Sequence, residues 1–353
     1  MKGVRLHGVR DLRVEEIPDP PPPGRGQVLL RVTAAGICGS DLHSYSDARI
    51  GDTLVTRPLV LGHEFAAVAE LCGPDPVAGD GRLLAPGVRV AVDPASPCLE
   101  CDMCLRGDTH ICRHLHFCGL SPDDGCFCER LVAPARSCFR LPPVIDDESG
   151  ALLEPLGVAM HALDRGRIMK GDSVAIFGAG PIGLLILQLA LRAGASPVFV
   201  VEPLSWRREF ASRMGAEIIT PGEQPGAAIF RLTGGKGVDV AFEAAWADTS
   251  VQSAAESTAP GGRLVLVGIP SGDTLTLRHS TARRKELTLV LSRRMKNTYP
   301  GAIRMVNENL VDLKGLITHR FPLPDLPAAF ALNAGYKDNV VKVIITYGGK
   351  RAS

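Results

Sequence analysis

The chain has 353 residues, of which 45% are hydrophobic and 22% charged, a composition typical of a globular protein with more than one domain. Its 39 basic and 38 acidic residues leave a net charge of +1, which argues against a dedicated nucleic-acid or polyanion binder. The N-terminus carries charge where a signal peptide needs an apolar stretch, and the longest apolar run, 184–191, is too short to cross a membrane. We therefore expect a cytoplasmic protein with neither a nucleic-acid nor a membrane partner.

The first 150 residues are rich in turns and in short β-branched runs. Residues 28–32 and 88–92 are predicted strands, because Gly and Pro bound them. The segment Pro18 to Gly26 contains five prolines and is predicted to be a stiff loop. This half of the chain therefore indicates a β-rich domain.

Four cysteines follow with the spacing C-x2-C-x2-C-x7-C: Cys98, Cys101, Cys104 and Cys112. Each x2 step brings two sulfurs close enough to share one ion, and Zn²⁺ prefers four thiolates in a closed structural site. Disulfides fit less well in a chain without a secretory signal, and four free thiols would leave the crowding unexplained. The spacing predicts a structural zinc lobe over about 94–116. A closed site of this kind holds a loop and does no chemistry.

From about Gly150 predicted strands alternate with predicted helices, which indicates βαβ units and a parallel sheet. The predicted strands are 173–177, 198–202, 238–243 and 263–268, and the predicted helices are 181–193, 204–214 and 249–258. After residue 293 we predict a turn at Pro300-Gly301, a helix over 302–309, and strands at 318–321 and 340–346.

A glycine motif opens the first of these helices. Gly178, Gly180 and Gly183 form G-x-G-x-x-G, with Pro181 and Ile182 inside it, between an apolar strand and an apolar helix. In this context the glycines allow a tight turn, close approach of a pyrophosphate and helix–strand packing. Glu202 ends the next strand, where a carboxylate accepts the ribose hydroxyls of NAD and disfavours the 2′-phosphate of NADP. Arg207 lies five residues on and would favour that phosphate, but the acid carries more weight.

A second set of potential metal ligands lies apart from the four cysteines. Cys38 occurs in Gly-Ile-Cys-Gly-Ser-Asp-Leu-His, His63 and Glu64 occur in Leu-Gly-His-Glu-Phe, and Glu154 occurs in Leu-Leu-Glu-Pro-Leu-Gly. Catalytic zinc sites use three protein ligands and keep a fourth position for water or substrate. A lone Cys or His is more often structural, so the interpretation depends on these local contexts together.

Together these motifs resemble the zinc-dependent medium-chain alcohol dehydrogenases over essentially the whole chain. Within that family the chain is similar to the polyol branch, typified by sorbitol (L-iditol) dehydrogenases. Glu154 occupies the position of a cysteine ligand in ethanol-type enzymes, and Arg294 with residues 297–300 matches a stretch that contacts polyol hydroxyls.

The resemblance implies a role for each matched residue. Cys38, His63 and Glu154 would hold catalytic zinc, with or without an intervening water, and Glu64 would be an alternate ligand. Asp41 would orient His63. Ser40 and His43 would relay the proton. The implied cofactor contacts are Gly178, Gly180, Pro181, Ile182, Gly183, Glu202, Arg207, Val267 and Arg294, and the implied substrate contacts are Ser40, Tyr45, Phe117, Glu154 and Arg294.

The implied reaction is transfer of a hydride from a secondary alcohol of a polyol to NAD, which gives a ketose. Zinc would lower the pKa of the substrate hydroxyl, and the proton would leave through Ser40 and His43. The chain departs from the branch at Ser44, where a tyrosine is common, with Tyr45 next to it. Dehydrogenases for L-threonine, a cyclitol, an amino-alcohol or butanediol on the same scaffold therefore stay open, as does, more remotely, a non-catalytic scaffold.

The predicted fold class is α/β, with two domains. The resemblance implies a GroES-like β-barrel catalytic domain formed by residues 1–152 and 293–353, and a doubly wound Rossmann domain over 153–292. The segments 263–268 and 275–291 match the region through which family members pair their sheets, so a homodimer or homotetramer is expected. The expected cofactors are NAD and two zinc ions per chain.

Overall fold

The computed structural model describes residues 1–220, 224–245, 247–270 and 274–348. These residues divide into two compact units, one formed by Met1–Glu154 and Tyr299–Ser353 and the other by Pro155–Thr298. The junctions therefore lie at 154/155 and 298/299, slightly C-terminal to those predicted from the sequence. Among the described residues, no helix has both the length and the apolar character needed to span a membrane.

The N-terminal part of the first unit is mostly β-structure. Its strands are Lys2–Gly8 (β1), Asp11–Glu16 (β2), Gln27–Gly36 (β3), Arg49–Ile50 (β4), Thr53–Leu54 (β5), Leu59–Val60 (β6), Glu64–Cys72 (β7), Arg89–Val92 (β8), Ala95–Ser96 (β9), His116–Phe117 (β10), Arg130–Pro134 (β11) and Cys138–Arg140 (β12). Its helices are Gly39–Asp47 (α1), Asp102–Leu105 (α2) and Asp147–Ala151 (α3), with short 3₁₀ turns at Thr109–Ile111 and Ala135–Ser137. Both strands predicted in this region are confirmed.

Helix Leu153–Gly166 (α4) carries the chain into the second unit, which alternates strands and helices. Its strands are Val174–Phe177 (β13), Val198–Val201 (β14), Glu217–Ile219 (β15), Val238–Glu243 (β16), Thr258–Leu266 (β17) and Thr288–Leu291 (β18). Its helices are Pro181–Arg192 (α5), Ser205–Arg213 (α6), Pro225–Leu232 (α7), Asp248–Ser257 (α8) and His279–Arg284 (α9). The strand order β15-β14-β13-β16-β17-β18, parallel throughout, is that of a doubly wound sheet.

The C-terminal segment returns to the first unit. It forms Tyr299–Asn307 (α10), Ile317–Pro322 (β19), Leu326–Ala334 (α11) and Lys342–Thr346 (β20), with 3₁₀ turns at Lys314–Leu316 and Leu323–Asp325. The turn predicted at Pro300-Gly301 is wrong, because both residues lie in the first turn of α10. Proline is tolerated there, since the first N–H groups of a helix have no intrahelical partner. Both predicted C-terminal strands are confirmed.

Strand β20 joins the C-terminal segment to the main sheet of the first unit. The main sheet of the first unit has the order β12-β8-β7-β3-β20-β19, and β11 also pairs with β3. Inward residues of β3 such as Val28, Leu30 and Val32 are fully buried and alternate with more exposed ones, as expected for a strand with one face on a core. By contrast, all four residues of β13 are buried, which is typical of a central parallel strand covered on both faces.

Candidate active site and cofactor site

The four cysteines of the predicted lobe lie together. Their sulfurs are all within 4.8 Å of one another, with Cys98 Sγ 3.4 Å from Cys112 Sγ and 4.0 Å from Cys104 Sγ, and Cys101 Sγ 3.8 Å from Cys112 Sγ. A tetrahedral zinc with Zn–S bonds of about 2.3 Å has sulfur–sulfur edges of about 3.8 Å. The four sulfurs therefore fit a structural zinc ion with little adjustment.

The local backbone favours thiolates in this lobe. The backbone N–H groups of Arg113 and Cys104 lower the pKa of Cys101 to about 6, whereas burial raises the pKa of Cys104 to about 12. Neighbouring thiolates repel one another, so without a cation the cluster keeps some of its protons. A divalent cation removes this conflict, because it requires all four sulfurs to be deprotonated.

A second cluster contains Cys38, His63 and Glu64, whose ligand atoms lie within 4.8 Å of one another. Cys38 is the N-cap residue of α1, and Glu64 begins β7 directly after His63. Both histidine and glutamate are buried. A thiol, an imidazole and a carboxylate on rigid elements form the donor set that zinc accepts, so these residues fit a zinc ion.

Asp41 contacts the backbone and a side chain of this cluster and fixes their orientation. Its buried carboxylate accepts hydrogen bonds from the backbone N–H groups of Cys38 at 2.9 Å and Gly62 at 3.3 Å, and it lies 3.4 Å from His63 Nδ1. Burial alone would lower the pKa of His63, but the charges of Asp41 and Cys38 outweigh it and hold that pKa well above its usual value. With Nδ1 directed at Asp41, Nε2 is the nitrogen left to bind a metal.

Two neutral side chains of the predicted site also lie against His63. The Ser40 hydroxyl is 3.4 Å from His63 Nε2, and the Phe117 ring centroid is 5.3 Å from that of His63. His43 is buried on the same helix as Ser40, with Nδ1 3.9 Å from Asp47 Oδ2. The placement of Ser40 and Phe117 is what a proton relay and a substrate wall beside this cluster require.

The surroundings of two further predicted site residues, Glu154 and Tyr45, bear on their proposed roles. Glu154, predicted to hold zinc directly or through a water, is not part of the group of ligand atoms within 4.8 Å of one another in the described part of the chain; that group contains Glu64, the predicted alternate ligand, with Cys38 and His63. Burial raises the pKa of Glu154 to about 8, against the opposing charge of His63. Tyr45, predicted to contact substrate, packs against Phe330 with ring centroids 5.3 Å apart in the hydrophobic core. The Tyr45 ring would have to leave this apolar packing to contact a substrate.

The sequence analysis missed Lys342, which the structure brings to Glu64. Lys342 is buried on β20 and donates hydrogen bonds from Nζ to Glu64 Oε2 and, at 2.9 Å, to Ile37 O. A lysine inside the apolar run Val-Val-Lys-Val-Ile-Ile was the available signal, because a lysine is buried only when it is paired.

In the second unit the glycine motif forms the predicted turn between β13 and α5. Gly178 has a φ of 101°, in the region that favours glycine, and a Cβ on Gly183 would overlap the carbonyl oxygen of Gly178. Pro181 is the first residue of the helix, followed by Ile182. A Cβ on Gly180 would meet only the Arg207 guanidinium, at 3.6 Å, so there is room for a phosphate to approach the backbone and the helix N-terminus there.

Glu202 lies directly after β14 and is hydrogen-bonded to this turn. Its buried carboxylate accepts hydrogen bonds from the N–H groups of Ala179 at 2.8 Å and Leu204 at 2.9 Å. The Arg207 guanidinium reaches the same place, with Nη1 3.6 Å from where a Cβ on Gly180 would be. A carboxylate has further acceptor positions beyond these two bonds, so it keeps the capacity to receive ribose hydroxyls.

The remaining predicted contacts also fall in the second unit. Val267 follows β17 at the carboxyl edge of the sheet and donates its N–H to Glu243 O at 2.9 Å. Arg294 is partly buried and has a φ of 56°, a left-handed conformation that is uncommon for a non-glycine residue. Carboxyl edges of parallel strands are where ligands of doubly wound sheets bind, which agrees with the position of Val267.

Comparison with known proteins identifies both units. Residues 24–143 match the model of the alcohol dehydrogenase GroES-like domain, and residues 181–308 match that of the zinc-binding dehydrogenases. The chain is 38% identical over 330 residues to sorbitol dehydrogenase of Homo sapiens, covering 92% of this chain and 90% of that protein.

Two solved structures are similar over nearly their full length. Galactitol-1-phosphate dehydrogenase from Escherichia coli has a TM-score of 0.87 at 29% identity, covering 98% of this chain and 100% of the other. The 2R,3R-butanediol dehydrogenase from Bacillus subtilis has a TM-score of 0.86 at 30% identity, covering 98% and 99%. The predicted fold class is confirmed. The chain, with zinc and a nicotinamide dinucleotide as its cofactors, belongs to the zinc-dependent medium-chain alcohol dehydrogenases, in the branch that contains the sorbitol dehydrogenases.

Proposed function

We propose that the protein is an NAD-dependent polyol dehydrogenase that oxidises a secondary alcohol to a ketose. The observation that carries the proposal is the Cys38–His63–Glu64 cluster, with a partly buried thiol and a buried imidazole and carboxylate, in a chain that matches a sorbitol dehydrogenase over nine-tenths of its length. Cys38 and His63 would hold catalytic zinc, with Glu64 or Glu154 completing its ligands, and the four-cysteine lobe would hold a second, structural zinc. When bound, zinc acidifies the substrate hydroxyl and the nicotinamide ring accepts the hydride.

The residues of the chain would position the substrate and move its proton. Ser40, beside His63, would accept the proton of the substrate hydroxyl, and His43 would pass it on, since imidazole titrates near neutral pH. Phe117 would form an apolar wall against the carbon chain of the substrate. Asp41 keeps His63 in one orientation and tautomer throughout.

The proposed preference for NAD rests on Glu202. Its carboxylate sits beside the glycine turn, where a ribose 2′-phosphate would meet negative charge in a buried setting. Arg207 acts in the opposite direction, because its guanidinium also reaches the turn. We propose that Glu202 dominates, since its position is fixed by two backbone hydrogen bonds.

Oxidation of a vicinal diol is the second candidate activity. The specific observation is the full-length similarity to the butanediol dehydrogenase structure. Ser44, where a larger tyrosine is common in the sorbitol branch, would leave a pocket of different shape. The Cys38–His63–Glu64 cluster and the proton relay would serve either substrate equally.

The test is NADH formation from NAD on a panel of alcohols. The panel contains sorbitol, xylitol, L-iditol, ribitol, 2,3-butanediol, ethanol and L-threonine, each with and without a strong zinc chelator. The proposal predicts the highest kcat/KM on a polyol, abolished by the chelator. Higher kcat/KM on butanediol or threonine would reject the polyol assignment, while activity that survives complete zinc removal would reject the metal-dependent mechanism.

We further propose that the protein is a cytoplasmic homodimer or homotetramer. Strand β18 is the last strand of the parallel sheet and pairs only with β17 among the described residues. Its Leu289 and Leu291 are 43% and 68% exposed. Pairing of this edge with a second copy would cover that apolar surface and give partners to the N–H and C=O groups along the outer side of the strand. A reducing compartment suits the four-cysteine lobe, whose ligands must be thiolates. Sedimentation of the purified protein measures the assembly.

A further inference from the structure

The carboxyl edge of the parallel sheet has a second buried acid besides Glu202. Glu243 is the last residue of β16 and is 3% exposed. It pairs with Phe177, the last residue of β13, and the strand order reverses between these two strands. Doubly wound sheets bind dinucleotides at such a reversal. Glu243 therefore lies at the edge of the expected cofactor crevice, although the sequence analysis assigned it no role.

The side chain of Glu243 is hydrogen-bonded to the segment that follows β16. Its Oε1 accepts hydrogen bonds from Ala245 N at 2.8 Å and from Ser250 Oγ, in the first turn of α8, at 2.6 Å. A buried carboxylate is unfavourable unless hydrogen bonds satisfy it, and bonds to a charged acceptor are about twice as strong as neutral ones. These two bonds therefore fix the position of the segment relative to the end of the strand.

The main chain of Glu243 is hydrogen-bonded to the neighbouring loop. Its carbonyl oxygen accepts hydrogen bonds from Val267 N and Gly268 N, both at 2.9 Å, directly after β17. The segment after β16 also contacts the glycine turn, because a Cβ on Gly178 would lie 2.8 Å from Ala244 O. One residue thus connects two loops at the carboxyl edge, and the first of them packs against the turn that is expected to receive the pyrophosphate.

We propose that Glu243 is a positioning residue for the cofactor, which keeps these two loops in the arrangement that receives the nicotinamide half. A doubly wound sheet has two mononucleotide-binding halves. Glu202 lies in the first half, where the ribose that bears the 2′-phosphate in NADP is expected, so β16 and β17 belong to the half left for the nicotinamide nucleotide. The inference rests on the proposed assignment of Glu202 to that ribose, and it is independent of which alcohol is oxidised.

Removal of the Glu243 side chain has a selective predicted effect. In Glu243→Ala both side-chain hydrogen bonds are lost, so the segment after β16 spends less time in its binding arrangement. The apparent dissociation constant rises as the inverse of that fraction, and we expect the affinity for NADH to fall at least about tenfold. AMP carries only the adenosine half, so its affinity should change by less than about threefold. A general loss of folding would instead weaken both ligands equally.

Two further variants and a control separate positioning from a loss of stability. Glu243→Gln keeps an acceptor oxygen, so its NADH affinity should lie between those of wild type and Glu243→Ala. Ser250→Ala removes one of the two bonds and should show a smaller loss for NADH that again exceeds the loss for AMP. Asp239→Ala is the matched control, because Asp239 lies at the opposite end of β16 and accepts hydrogen bonds from Ser173 N at 2.8 Å and Ser173 Oγ at 2.7 Å. This control should lower the melting temperature and leave both affinities unchanged.

The experiment measures NADH binding by fluorescence and AMP binding by calorimetry, on the zinc-loaded protein without any alcohol. The proposal is overturned if Glu243→Ala binds NADH as tightly as wild type, if it loses NADH and AMP affinity in equal proportion, or if Asp239→Ala weakens NADH binding as much. Where Glu243→Ala does not fold, Ser250→Ala decides by the same three criteria. The alcohol panel does not enter this test, so a negative panel would overturn only the proposed function.

Discussion

Asp41 is the residue outside the metal ligands on which we expect the candidate catalytic site to depend most. Its carboxylate accepts hydrogen bonds from the backbone N–H groups of Cys38 and Gly62 and lies 3.4 Å from His63 Nδ1. Because Gly62 directly precedes His63, one buried side chain fixes both the thiol and the imidazole. The substitution Asp41→Ala removes all three interactions and leaves two N–H groups without this acceptor.

The expected loss follows from these contacts. Hydrogen bonds to a charged group contribute about 1.5–3 kcal/mol each, so the two backbone bonds correspond to about 3–6 kcal/mol of unfolding free energy. Loss of a group that orients a metal-binding histidine typically lowers metal affinity about 10–100-fold. Asp41→Asn keeps the side-chain shape and one acceptor oxygen. It should therefore lose less unfolding free energy and less zinc affinity than Asp41→Ala.

Two measurements on each variant check this prediction: urea unfolding of the zinc-free protein and competition for zinc with a chromophoric chelator. Asp146→Ala is the control, because Asp146 accepts a hydrogen bond from Ser149 N at 2.8 Å at the start of α3 and pairs with Lys314 Nζ at 2.7 Å. Asp146→Ala should lower the free energy of unfolding by about 1 kcal/mol and leave the zinc affinity unchanged. The reasoning is refuted if Asp41→Ala binds both zinc ions as tightly as wild type, or if Asp146→Ala weakens zinc binding equally.

Three further predictions concern the other sites. Cys98→Ser should remove one of two zinc equivalents, measured by elemental analysis, and lower the melting temperature while the folded protein still turns over; retention of both equivalents would contradict the four-thiolate site. Glu202→Gln should raise the NADP-to-NAD ratio of kcat/KM by about tenfold or more, because it removes one buried charge and keeps the side-chain shape; an unchanged ratio would reject its role. Gly183→Ala should destabilise the fold in a thermal melt, because its Cβ overlaps Gly178 O, whereas Gly180→Ala should leave the melting temperature near that of wild type and weaken cofactor binding, measured by NADH fluorescence. Equal melting temperatures for these two variants would contradict the packing argument.

The features that the sequence predicts correctly are those encoded over short distances along the chain. The four cysteines of the zinc lobe lie within fifteen residues, and their spacing alone brings the sulfurs to one place. The glycine motif likewise needs only the strand before it and the helix after it. In both cases the local backbone determines the geometry, so residue type and spacing suffice.

The features that sequence reasoning missed depend on contacts between distant parts of the chain. Lys342 is 278 residues from Glu64, and only the insertion of β20 beside β3 brings them together. A Cβ on Gly36 would overlap Glu64 Oε2, and this close approach depends on the register of β3 against β7, which a one-residue shift in strand pairing would abolish. The packing of Tyr45 against Phe330 likewise joins α1 to the C-terminal segment, far along the chain. Each of these outcomes depends on strand order and register, which composition and periodicity do not determine.

The most direct test of the account is the rate of NADH formation from NAD and sorbitol, or the best polyol of the panel, as zinc is removed and then restored. The account predicts that activity falls in proportion to the zinc lost from the Cys38 site and returns when one equivalent of zinc is added back. Full activity in protein from which that zinc has been removed would contradict the central claim that Cys38, His63 and their neighbouring carboxylates form a catalytic metal site.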